Sequence, residues 1–498
     1  SAKMGLTQCF PAGNGPFMFG WRTCSPLLMR VGIRVHWRDG EGAMAKEIQR
    51  ETIRQIALRA KAMGGRAMLV GGCVRDALLG RESADIDCEV YGLTPEQLHA
   101  LAAQFGTVDE SGARYGIFTL KDAGIDLAVP RLERRIGPKH GDFDVTANPT
   151  LSFEQAAARR DFTVNAILQD ALTGEIVDPF GGQTDLKNHI LRAVPGAGFE
   201  EDPLRVLRGA QFAARYDLTV DEATMEKMRR MPTDALSPAR VMSETKKALM
   251  QSAHPEVYFD ILRRAGALEV WFQELAALIG VRQNPKYHPE GDAYVHTMLV
   301  LCAAAEMREA AQKPLNLMLA ALVHDLGKAA TTTQDQNGNY HSCEHEIAGV
   351  PLLSAMLSRI GAGKDMLAYC ENMCRLHMRT HICFYMNLGE GQTNLLFDES
   401  ICPHDLVLLA VCDARGKGRR TEKSDEEEQF LKERLAAYEK ALSMPMPSGD
   451  MLIAQGMKAG RGMAQALKEA RRLRLCGAGL EDAIRQTVIK FGKENSHE

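Results

Sequence analysis

The strand patterns of this chain end near residue 195, and this change restricts the possible folds more than any other feature. Before that point, strand-like segments such as DIDCEVYG lie among helical ones, whereas later segments carry apolar residues at helical spacing. A sheet formed by the first part must be covered by helices of that part. The later helices must then bury their apolar faces against one another. We therefore expect an α+β fold in which a mixed sheet with helices precedes all-α domains.

The length of 498 residues predicts two to four domains, because one hydrophobic core rarely serves more than about 250 to 300 residues. A turn-rich stretch at 284–292 and a charged stretch at 415–428 are typical of domain boundaries. The chain is accordingly divided into an extension, a sheet-containing domain, two helical domains and a helical tail. The expected bounds are 1–43, 44–195, 196–284, 285–425 and 426–498.

Residues 1–43 differ from the rest of the chain, since they are basic, rich in Gly, Pro and Phe, and free of acids until Asp39. Transit peptides share the basic, acid-poor bias, but this Gly and Pro content is poor for an amphipathic helix. We interpret 1–43 as an extension that is disordered or was added upstream of a natural start at Met44.

The net charge is −4, so no overall basic field indicates a nucleic-acid partner, which would have to bind local patches. Basic stretches at 131–140, 415–423 and 471–474 are candidates, although each alone is typical of a solvated surface. The composition, 45% hydrophobic and 25% charged, is that of a globular protein. Because no apolar run is long enough to cross a bilayer, we expect a soluble protein without a membrane partner.

The twelve cysteines are scattered without a paired CxxC framework. In a long chain this favours a reducing, cytoplasmic setting over a disulfide scaffold. Cys370 and Cys374 are one helical turn apart and are expected to be buried. The oligomeric state stays open between monomer and dimer.

The segment LVGGCVRDALLG at 69–80 has the pattern of a buried strand, a glycine pair and a helix. The N–H groups of Gly71 and Gly72 are unhindered by side chains and can form a nest for a triphosphate at the start of that helix. Arg75 can add charge-assisted hydrogen bonds to phosphate. This segment therefore predicts a phosphate-binding loop.

Asp85 and Asp87 follow on an alternating strand, which directs both side chains to one face. Two like charges there repel each other unless a cation or an arginine compensates, and Mg²⁺ prefers carboxylate ligands. A hairpin at 116–129 is expected to bring Asp126 beside Asp87 as a third carboxylate, with a structural salt bridge as the alternative. A bare Asp-x-Asp is usually a solvated edge strand, but the glycine loop upstream favours a nucleoside triphosphate site. Glu89 shares the face and stays unassigned.

Five segments in order resemble the motifs of the class II tRNA nucleotidyltransferase and poly(A) polymerase family. They are GGCVRDALLG with DID, RRDFTVNA, DPFGGQTDL, EDPLRVLR and ARVMSETKKAL, which begin at residues 71, 159, 178, 201 and 239. The last usually begins with Glu-Arg in the family, but here Ala239 takes the first position, while Arg240 and Glu244 remain. The resemblance covers about residues 51 to 490.

This resemblance implies that the chain adds CCA to the 3′ end of tRNA from CTP and ATP with Mg²⁺. It implies a polymerase-beta-like nucleotidyltransferase head, in which Asp85, Asp87 and Asp126 are catalytic and the first two hold Mg²⁺. It further implies a helical neck and body at 196–284 that read the nucleobase and grip the tRNA acceptor arm. Shape and phosphate charge should dominate that binding, along a basic path from 131–140.

Within RRDFTVNA, Asp161 and Asn165 are expected one helical turn apart, where they would orient the ribose, with Arg160 directed toward phosphate. The resemblance also places Arg208, at the end of EDPLRVLR, among the nucleotide-binding residues.

Asp202 and Arg205 of EDPLRVLR are three residues apart, so on a helix both side chains leave the same face. The carboxylate accepts hydrogen bonds and the guanidinium donates them. Cytosine and adenine each offer an amino donor beside a ring-nitrogen acceptor, which this pair matches, whereas uracil and guanine offer the reverse. The pair therefore predicts a protein-encoded template for C and A, with an ordinary i, i+3 salt bridge as the alternative.

Eight of the fourteen histidines fall between His288 and His404. An adjacent His-Asp at the end of an apolar helix, as at His324 and Asp325, is costly to bury without a cation or partners. Imidazoles and carboxylates from several helices are typical of a transition-metal site.

These residues resemble the HD phosphohydrolase domain, whose minimal ligand pattern is His, then His-Asp, then Asp. The pattern maps onto His296, His324 with Asp325, and Asp413. It implies a divalent transition metal such as Ni²⁺ or Mn²⁺ and hydrolysis of phosphoesters by a metal-activated water. YHPEGDAYVHT and CDARGKGR also resemble segments of bacterial CCA-adding enzymes of the multifunctional type, which carry an HD domain.

His341, His345 and His377 are further candidate ligands, for a second ion. The alternative is that they are histidines of the helix surface or contact the substrate.

Three related activities stay open beside full CCA addition: addition of A alone, of CC alone, or of a poly(A) tail. The long segment 131–160 favours full CCA addition, and an HD domain disfavours the poly(A) polymerase branch. A different class of alternative is an HD phosphohydrolase whose first half only binds RNA, against which the intact Asp85, Asp87, Asp202 and Arg205 argue.

Overall fold

The computed structural model describes residues 39–83, 85–135, 143–196, 198–418, 421–460 and 462–492, without the side chains of 39–44, 133–144 and 492. The chain divides into two compact units, Ser1–Glu51 and Thr52–Glu498. Helix α1, Asp39–Ala62, contributes residues to both. Of the predicted extension, residues 1–38 lie outside the described residues.

The strands of the described residues are short, and most precede residue 195. In chain order they are β1 Arg66–Val70, β2 Ile86–Tyr91, β3 Val108–Asp109, β4 Ile117–Leu120, β5 Ile125–Ala128, β6 Arg131–Arg135, β7 Phe143–Ala147, β8 Leu168–Asp170, β9 Ile176–Val177, β10 Ile190–Leu191, β11 Thr219–Val220, β12 Thr332–Gln334 and β13 Tyr340–Ser342.

The helices after α1 become longer and closely spaced in the second half. They are α2 Gly72–Leu78, α3 Pro95–Ala102, α4 Phe153–Ala157, α5 Gly182–Lys187, α6 Leu204–Tyr216, α7 Glu222–Arg230, α8 Pro238–Gln251, α9 Glu256–Arg264, α10 Leu268–Trp271, α11 Gln273–Ala276, α12 Ala293–Met307, α13 Pro314–Val323, α14 Lys328–Thr331, α15 His345–Arg359, α16 Lys364–Tyr385, α17 Glu390–Glu399, α18 Pro403–Arg415, α19 Glu422–Ser443, α20 Gly449–Ala454, α21 Met463–Leu475 and α22 Leu480–Gly492.

A mixed seven-stranded sheet has the order β3-β4-β5-β2-β1-β8-β9. Strand β2 pairs antiparallel with β1 and parallel with β5. Cys88 and Val90 of β2 pack in one apolar cluster, while Tyr91 belongs to a second cluster with Met68 and Val70 of β1. The central strands are therefore covered on both faces by apolar side chains.

The predicted α+β fold is confirmed, with a mixed sheet first and helices after it. Two small pairs of strands add to the helical part, the parallel pair β10-β11 and the hairpin β12-β13. The helical pattern at 257–278 is divided among α9, α10 and α11, with Gly266 at a φ of 72° between the first two. The boundary expected at 425/426 lies inside helix α19.

One apolar cluster continues from the helices that follow the sheet into the histidine-rich helices. It joins Tyr258 and Phe259 of α9 with Leu301 of α12 and Leu322 of α13. Arg359 of α15 adds a salt bridge to Glu274 of α11 (Nη2 to Oε1, 2.5 Å). The predicted helical domains 196–284 and 285–425 thus share one hydrophobic core.

Among the described residues, no helix combines the length and apolar character that a bilayer crossing needs. All ten described cysteines are free thiols, and Cys370 and Cys374 are buried as predicted.

Candidate active sites

A pocket of about 590 Å³ lies between the sheet and helix α6. Eight arginines and three aspartates contribute to its wall, so its charge suits a polyphosphate. The lining residues are Gly71, Gly72, Arg75, Asp87, Arg131, Arg159, Arg160, Asp161, Asn165, Asp202, Leu204, Arg205, Arg208, Phe212, Arg215 and Arg240. The structure therefore brings together ten of the predicted nucleotide-site residues, while Asp85 and Asp126 are not among the lining residues.

The glycine pair forms a tight turn between β1 and α2. Gly71 has a φ of 72°, which side chains other than glycine rarely tolerate. A Cβ atom at this position would lie 2.9 Å from Arg160 Nη1 and 3.6 Å from Asp87 Oδ2. Glycine therefore adopts the backbone conformation of this turn without strain and leaves room for the Arg160 guanidinium.

Arg75, predicted to bind phosphate, lines the pocket and is held there by three neighbouring side chains. Its side chain is 5% exposed and donates to Asp76 Oδ1 (2.9 Å from Nε), Asn165 Oδ1 (2.6 Å from Nη1) and the Tyr216 hydroxyl (2.5 Å from Nη2). Its guanidinium also stacks over the Tyr216 ring at 4.1 Å. Arg75 thus orients Asn165 in the pocket wall, and phosphate binding by Arg75 stays a prediction.

The acidic face of the sheet lies where β2 and β5 begin. Asp87 and Asp126 are direct neighbours in the parallel pairing, and the hairpin predicted to bring Asp126 there is confirmed. Thr119 donates to Asp126 Oδ1 at 2.5 Å. Partial desolvation raises the pKa of Asp87, as do the neighbouring carboxylates, while Arg160 opposes them. Asp85 precedes β2 and is exposed.

Crowded carboxylates fit a hard cation, because Mg²⁺ takes oxygen ligands and its charge would relieve their repulsion. Burial is the main cause of the raised pKa of Asp87, and repulsion from Asp126, Asp85 and Glu89 adds to it. This donor set is consistent with a magnesium ion at Asp85 and Asp87.

Glu89 lies next along β2 and is 2% exposed. Its carboxylate contacts Arg159 and Arg160, and these two arginines outweigh burial and hold the pKa of Glu89 below its usual value. Sequence reasoning left Glu89 unassigned because its partners are 70 and 71 residues away.

Asp161 and Asn165 contact each other, although the helix expected between them is only a 3-10 turn at Thr163–Asn165. Asn165 Nδ2 donates to Asp161 Oδ1 at 2.9 Å, and Arg208 Nη2 lies 2.6 Å from Asp161 Oδ2. The motif is too short for an α-helix because β8 begins at Leu168. The predicted residues nevertheless converge through these bonds.

Asp202 and Arg205 both face the pocket, but the helix expected to carry both begins only at Leu204. Asp202 Oδ1 accepts from the Leu204 N–H at 3.0 Å, and Oδ2 accepts from Arg240 Nη2 at 2.9 Å. Arg205 Nη2 donates to the Arg159 carbonyl at 2.7 Å. The two predicted base readers are thus each held by a different neighbour, Asp202 by Arg240 and Arg205 by the Arg159 carbonyl.

The second site lies among the helices of the histidine-rich part. His296 on α12, His324 at the end of α13 and Asp413 on α18 form a group whose ligand atoms lie within 4.8 Å of one another. His296 Nε2 is 3.0 Å from Asp413 Oδ1 and 3.6 Å from Asp325 Oδ2. The four predicted ligands therefore meet at one point.

The Nε2 atoms of His296 and His324 are buried and, among the described residues, have no hydrogen bond of good geometry. Buried polar atoms without such a bond are rare, and here the lone pairs lie beside carboxylates. Burial alone would raise the pKa of Asp325 and of Asp413, but neighbouring His and Lys charges hold both well below the usual value. Such a donor set fits a divalent transition metal.

A second group joins Asp325 with His345 on α15 and His377 on α16. His345 Nε2 lies 3.1 Å from Asp325 Oδ1 and 3.2 Å from His377 Nε2. The third candidate, His341, is 51% exposed and contacts Asp335 at 3.0 Å in the β12-β13 hairpin. The structure thus groups two of the three candidate extra ligands with Asp325.

Two carboxylates that support the histidines of this site were not predicted from the sequence. Glu290 accepts from Nδ1 of both His288 and His296, at 2.9 and 2.7 Å, which orients His296. Glu427 of α19 lies 2.5 Å from His381 Nδ1, while His381 Nε2 lies 2.7 Å from Asp413 Oδ2. Burial lowers the pKa of His381, but the two carboxylates raise it to about 9.

A cavity of about 740 Å³ opens beside these ligands. Its wall includes Asp325, His345 and Asp413, four lysines and three tyrosines. The lysines and tyrosines are Lys286, Lys328, Lys417, Lys423, Tyr287, Tyr340 and Tyr385. This combination suits an anionic substrate with a planar group.

The three basic stretches have different surroundings. In 131–140, the side chains from 133 onward lie outside the described residues. Arg415 contacts Glu428 at 3.3 Å, and Arg471 and Arg472 contact Asp398 and Glu469. The second and third stretches therefore contain arginines that take part in ion pairs within the chain.

Three family models match the chain. The model described as "Poly A polymerase head domain" matches residues 67–192, "Probable RNA and SrmB-binding site of polymerase A" matches 217–279, and "HD domain" matches 293–433.

Among curated proteins, the multifunctional CCA protein of Acinetobacter baumannii is 35% identical over 403 residues, covering 77% of this chain and 94% of that protein. The multifunctional CCA protein of Pasteurella multocida is 40% identical over 362 residues, covering 70% of this chain and 83% of that protein.

Solved structures give the same fold at lower identity. A CCA-adding enzyme in its apo form II has a TM-score of 0.63 and 17% identity, covering 91% of this chain and 99% of that one. The Thermotoga maritima CCA-adding enzyme complexed with tRNA has a TM-score of 0.59 and 16% identity, covering 90% and 98%. The Bacillus stearothermophilus CCA-adding enzyme in complex with CTP has a TM-score of 0.58 and 20% identity, covering 90% and 99%.

Proposed function

This chain belongs to the family of multifunctional CCA proteins, and from that membership we propose that it adds C, C and A to the 3′ end of tRNA. CTP and ATP are the substrates, and no template strand is needed. The acceptor arm of tRNA is the second substrate, held by the helical part that follows the head. A cytoplasmic location belongs to the same proposal.

The observation that carries this proposal is the pocket of about 590 Å³. It is lined by the glycine turn, by Asp87, and by Asp202 and Arg205, whose segments are more than 100 residues apart in the chain. A phosphate-binding turn, an acidic strand and a base-reading pair in one pocket are the parts that nucleotide transfer requires.

Asp85 and Asp87 would hold Mg²⁺, with Asp126 as the third catalytic carboxylate. The ion, when bound, supplies charge stabilisation for the attacking hydroxyl and the departing pyrophosphate. The protein positions the triphosphate through the Gly71 turn and Arg160. The 3′-hydroxyl oxygen then forms its bond to the α-phosphorus as the bond to pyrophosphate breaks.

Base selection would rest on Asp202 and Arg205. Asp202 accepts from the amino group of cytosine or adenine, and Arg205 donates to the adjacent ring nitrogen. Arg240 holds Asp202 in place. Arg208 orients Asp161, which with Asn165 would contact the ribose.

The HD site would carry a second activity, metal-dependent hydrolysis of phosphoesters. His296, His324, Asp325 and Asp413 would hold one ion, Ni²⁺ or Mn²⁺, and Asp325 with His345 and His377 would hold a second. The ring nitrogens of His296 and His324, buried without hydrogen bonds of good geometry among the described residues, are the observation that supports this part. The ion, when bound, activates a water for attack on phosphorus.

The deciding experiment uses tRNA that ends at the discriminator base, incubated with each nucleoside triphosphate and Mg²⁺. Wild type should add C, C and then A, and it should add U and G poorly. Asp85→Ala should lose addition by at least about 100-fold, since it removes a proposed metal ligand. Addition of U as readily as C would contradict the template, and full activity of Asp85→Ala would contradict the metal assignment.

The second activity is tested on the same preparations with a generic phosphodiester, bis-p-nitrophenyl phosphate, and Mn²⁺ or Ni²⁺. His324→Ala should lose hydrolysis and keep nucleotide addition, while Asp85→Ala should do the reverse. Loss of both activities in either variant, with the protein still folded, would contradict two separate sites.

The domain bounds 44–195, 196–284, 285–425 and 426–498 are part of the proposal, with α19 shared by the last two.

A further inference from the structure

Glu89 is a buried carboxylate for which the proposed reaction has no role. It lies on β2 two residues after Asp87, and its side chain is 2% exposed. Alternation along the strand directs it to the same face as Asp87. Burying a charge so close to a nucleotide pocket costs free energy unless the charge is paired and hydrogen-bonded.

One oxygen of Glu89 accepts from two arginines. Arg159 Nη2 lies 2.8 Å and Arg160 Nη2 lies 2.9 Å from Glu89 Oε1. The other oxygen accepts from the Tyr91 hydroxyl at 3.0 Å. The carboxylate therefore fixes two adjacent cations that would otherwise repel each other in a poorly solvated place.

Arg160 reaches the phosphate-binding turn. A Cβ atom on Gly71 would lie 2.9 Å from Arg160 Nη1, so the guanidinium lies against the glycine. The same Nη1 donates to the Asn165 carbonyl at 3.4 Å. Holding Nη2 of Arg160 on Glu89 therefore sets how Nη1 faces a triphosphate in the turn.

Arg159 supports the base-reading pair through its backbone carbonyl. The Arg159 carbonyl accepts from Arg205 Nη2 at 2.7 Å, and the Gly198 carbonyl accepts from Arg205 Nη1 at 2.5 Å. Because the Arg159 side chain is tied to Glu89, the strand that carries Asp87 also fixes one of the two anchors of Arg205.

We propose that Glu89 is a positioning residue that keeps the triphosphate-binding arginine and the base-reading arginine in register with the catalytic strand. The proposal rests on the function proposed above. It implies that Glu89 affects nucleotide affinity and base choice, whereas a residue that only stabilises the sheet would affect neither.

The test measures KM and kcat for CTP and ATP, and the ratio of C to U incorporation, with Glu89→Gln. This change keeps the shape of the side chain and removes the charge. We expect about a tenfold rise in KM for both nucleotides, a kcat within twofold of wild type, and a C to U ratio at least about fivefold lower. Wild-type addition of C, C and A in the same assay tests the proposed function separately.

Asp170→Asn is the matched control. Asp170 is a buried carboxylate in the same sheet that pairs with Arg66 at 2.7 Å, and it does not line the pocket. Its loss should lower the melting temperature and leave KM and the C to U ratio at the wild-type values.

Glu89→Asp keeps the charge on a shorter side chain and should recover at least half of the affinity lost in Glu89→Gln. If Glu89→Gln does not fold, Glu89→Asp decides: a rise in KM of twofold or more for both nucleotides supports the proposal, and an unchanged KM overturns it. A folded Glu89→Gln with wild-type KM and base choice, or with only kcat reduced, overturns it as well.

Discussion

A methyl group at position 71 would meet the guanidinium of Arg160, which makes this glycine a direct test of the phosphate-binding turn. Gly80 has a similar positive φ, 67°, but a Cβ there meets nothing within 4 Å. Both Gly71→Ala and Gly80→Ala should cost about 1 kcal/mol of stability, because alanine is strained at positive φ. Only Gly71→Ala should raise KM for CTP and ATP, by about tenfold or more. Equal KM values in steady-state kinetics of the two variants would contradict the assignment.

At the same scale, the sequence predicts residues whose neighbours are close in the chain and misses those whose partners are remote. Asp85, Asp87 and the glycine pair follow from strand alternation and turn chemistry within about 20 residues. Glu427 could not be assigned, because its partner His381 is 46 residues away on another helix. The contact of Arg75 with Tyr216 could not be predicted either, because Tyr216 is 141 residues away.

At the scale of elements, helices α11 and α15 are joined by a bidentate pair between Glu274 and Arg359, at 2.5 and 2.7 Å. Burial raises the pKa of Glu274, but Arg359 outweighs it and the net pKa is lowered. The stabilisation is therefore complete above the unfolded pKa of about 4.3 and is lost as pH falls through the folded pKa.

Glu274→Gln should therefore lower the free energy of unfolding by roughly 2 kcal/mol at pH 7. The difference from wild type should shrink below about pH 5. Urea denaturation at pH 7, 5 and 4 measures this. Asp260→Asn, which breaks an exposed pair with Arg263, should change stability by less than about 0.5 kcal/mol. A Glu274→Gln deficit that persists undiminished at pH 4 would contradict the argument.

The residues at which helices begin were predicted less well from the sequence than the helices themselves. Asp202 was expected on the helix that carries Arg205, but it precedes that helix and caps the Leu204 N–H. The charged stretch expected to separate domains begins α19, where the Thr421 side chain caps the first turn. In both places a polar residue satisfies a free backbone N–H, which apolar periodicity does not reveal.

At the scale of the molecule, the helical body and the HD part share one apolar core, with α8 against α13 and α9 against α12. Parts that share a core should unfold together. Calorimetry should give one transition for both, and chelation of Mn²⁺-loaded protein should shift that transition down by roughly 5 °C. Two separate transitions, of which only one responds to chelation, would contradict a shared core.

The shared core also has a consequence for synthesis on the ribosome. The last residue that lines the nucleotide pocket is Arg240, whereas Glu427 is needed to support the HD ligands. At about 5 to 20 residues per second, roughly 10 to 40 s separate the two points. Within that interval, from the end of α9 at Arg264 to the end of α13 at Val323, α8 and α9 are complete but α12 and α13 are not yet both available to cover them. The nascent chain therefore exposes apolar helix faces at this stage, and chaperone binding should be strongest there.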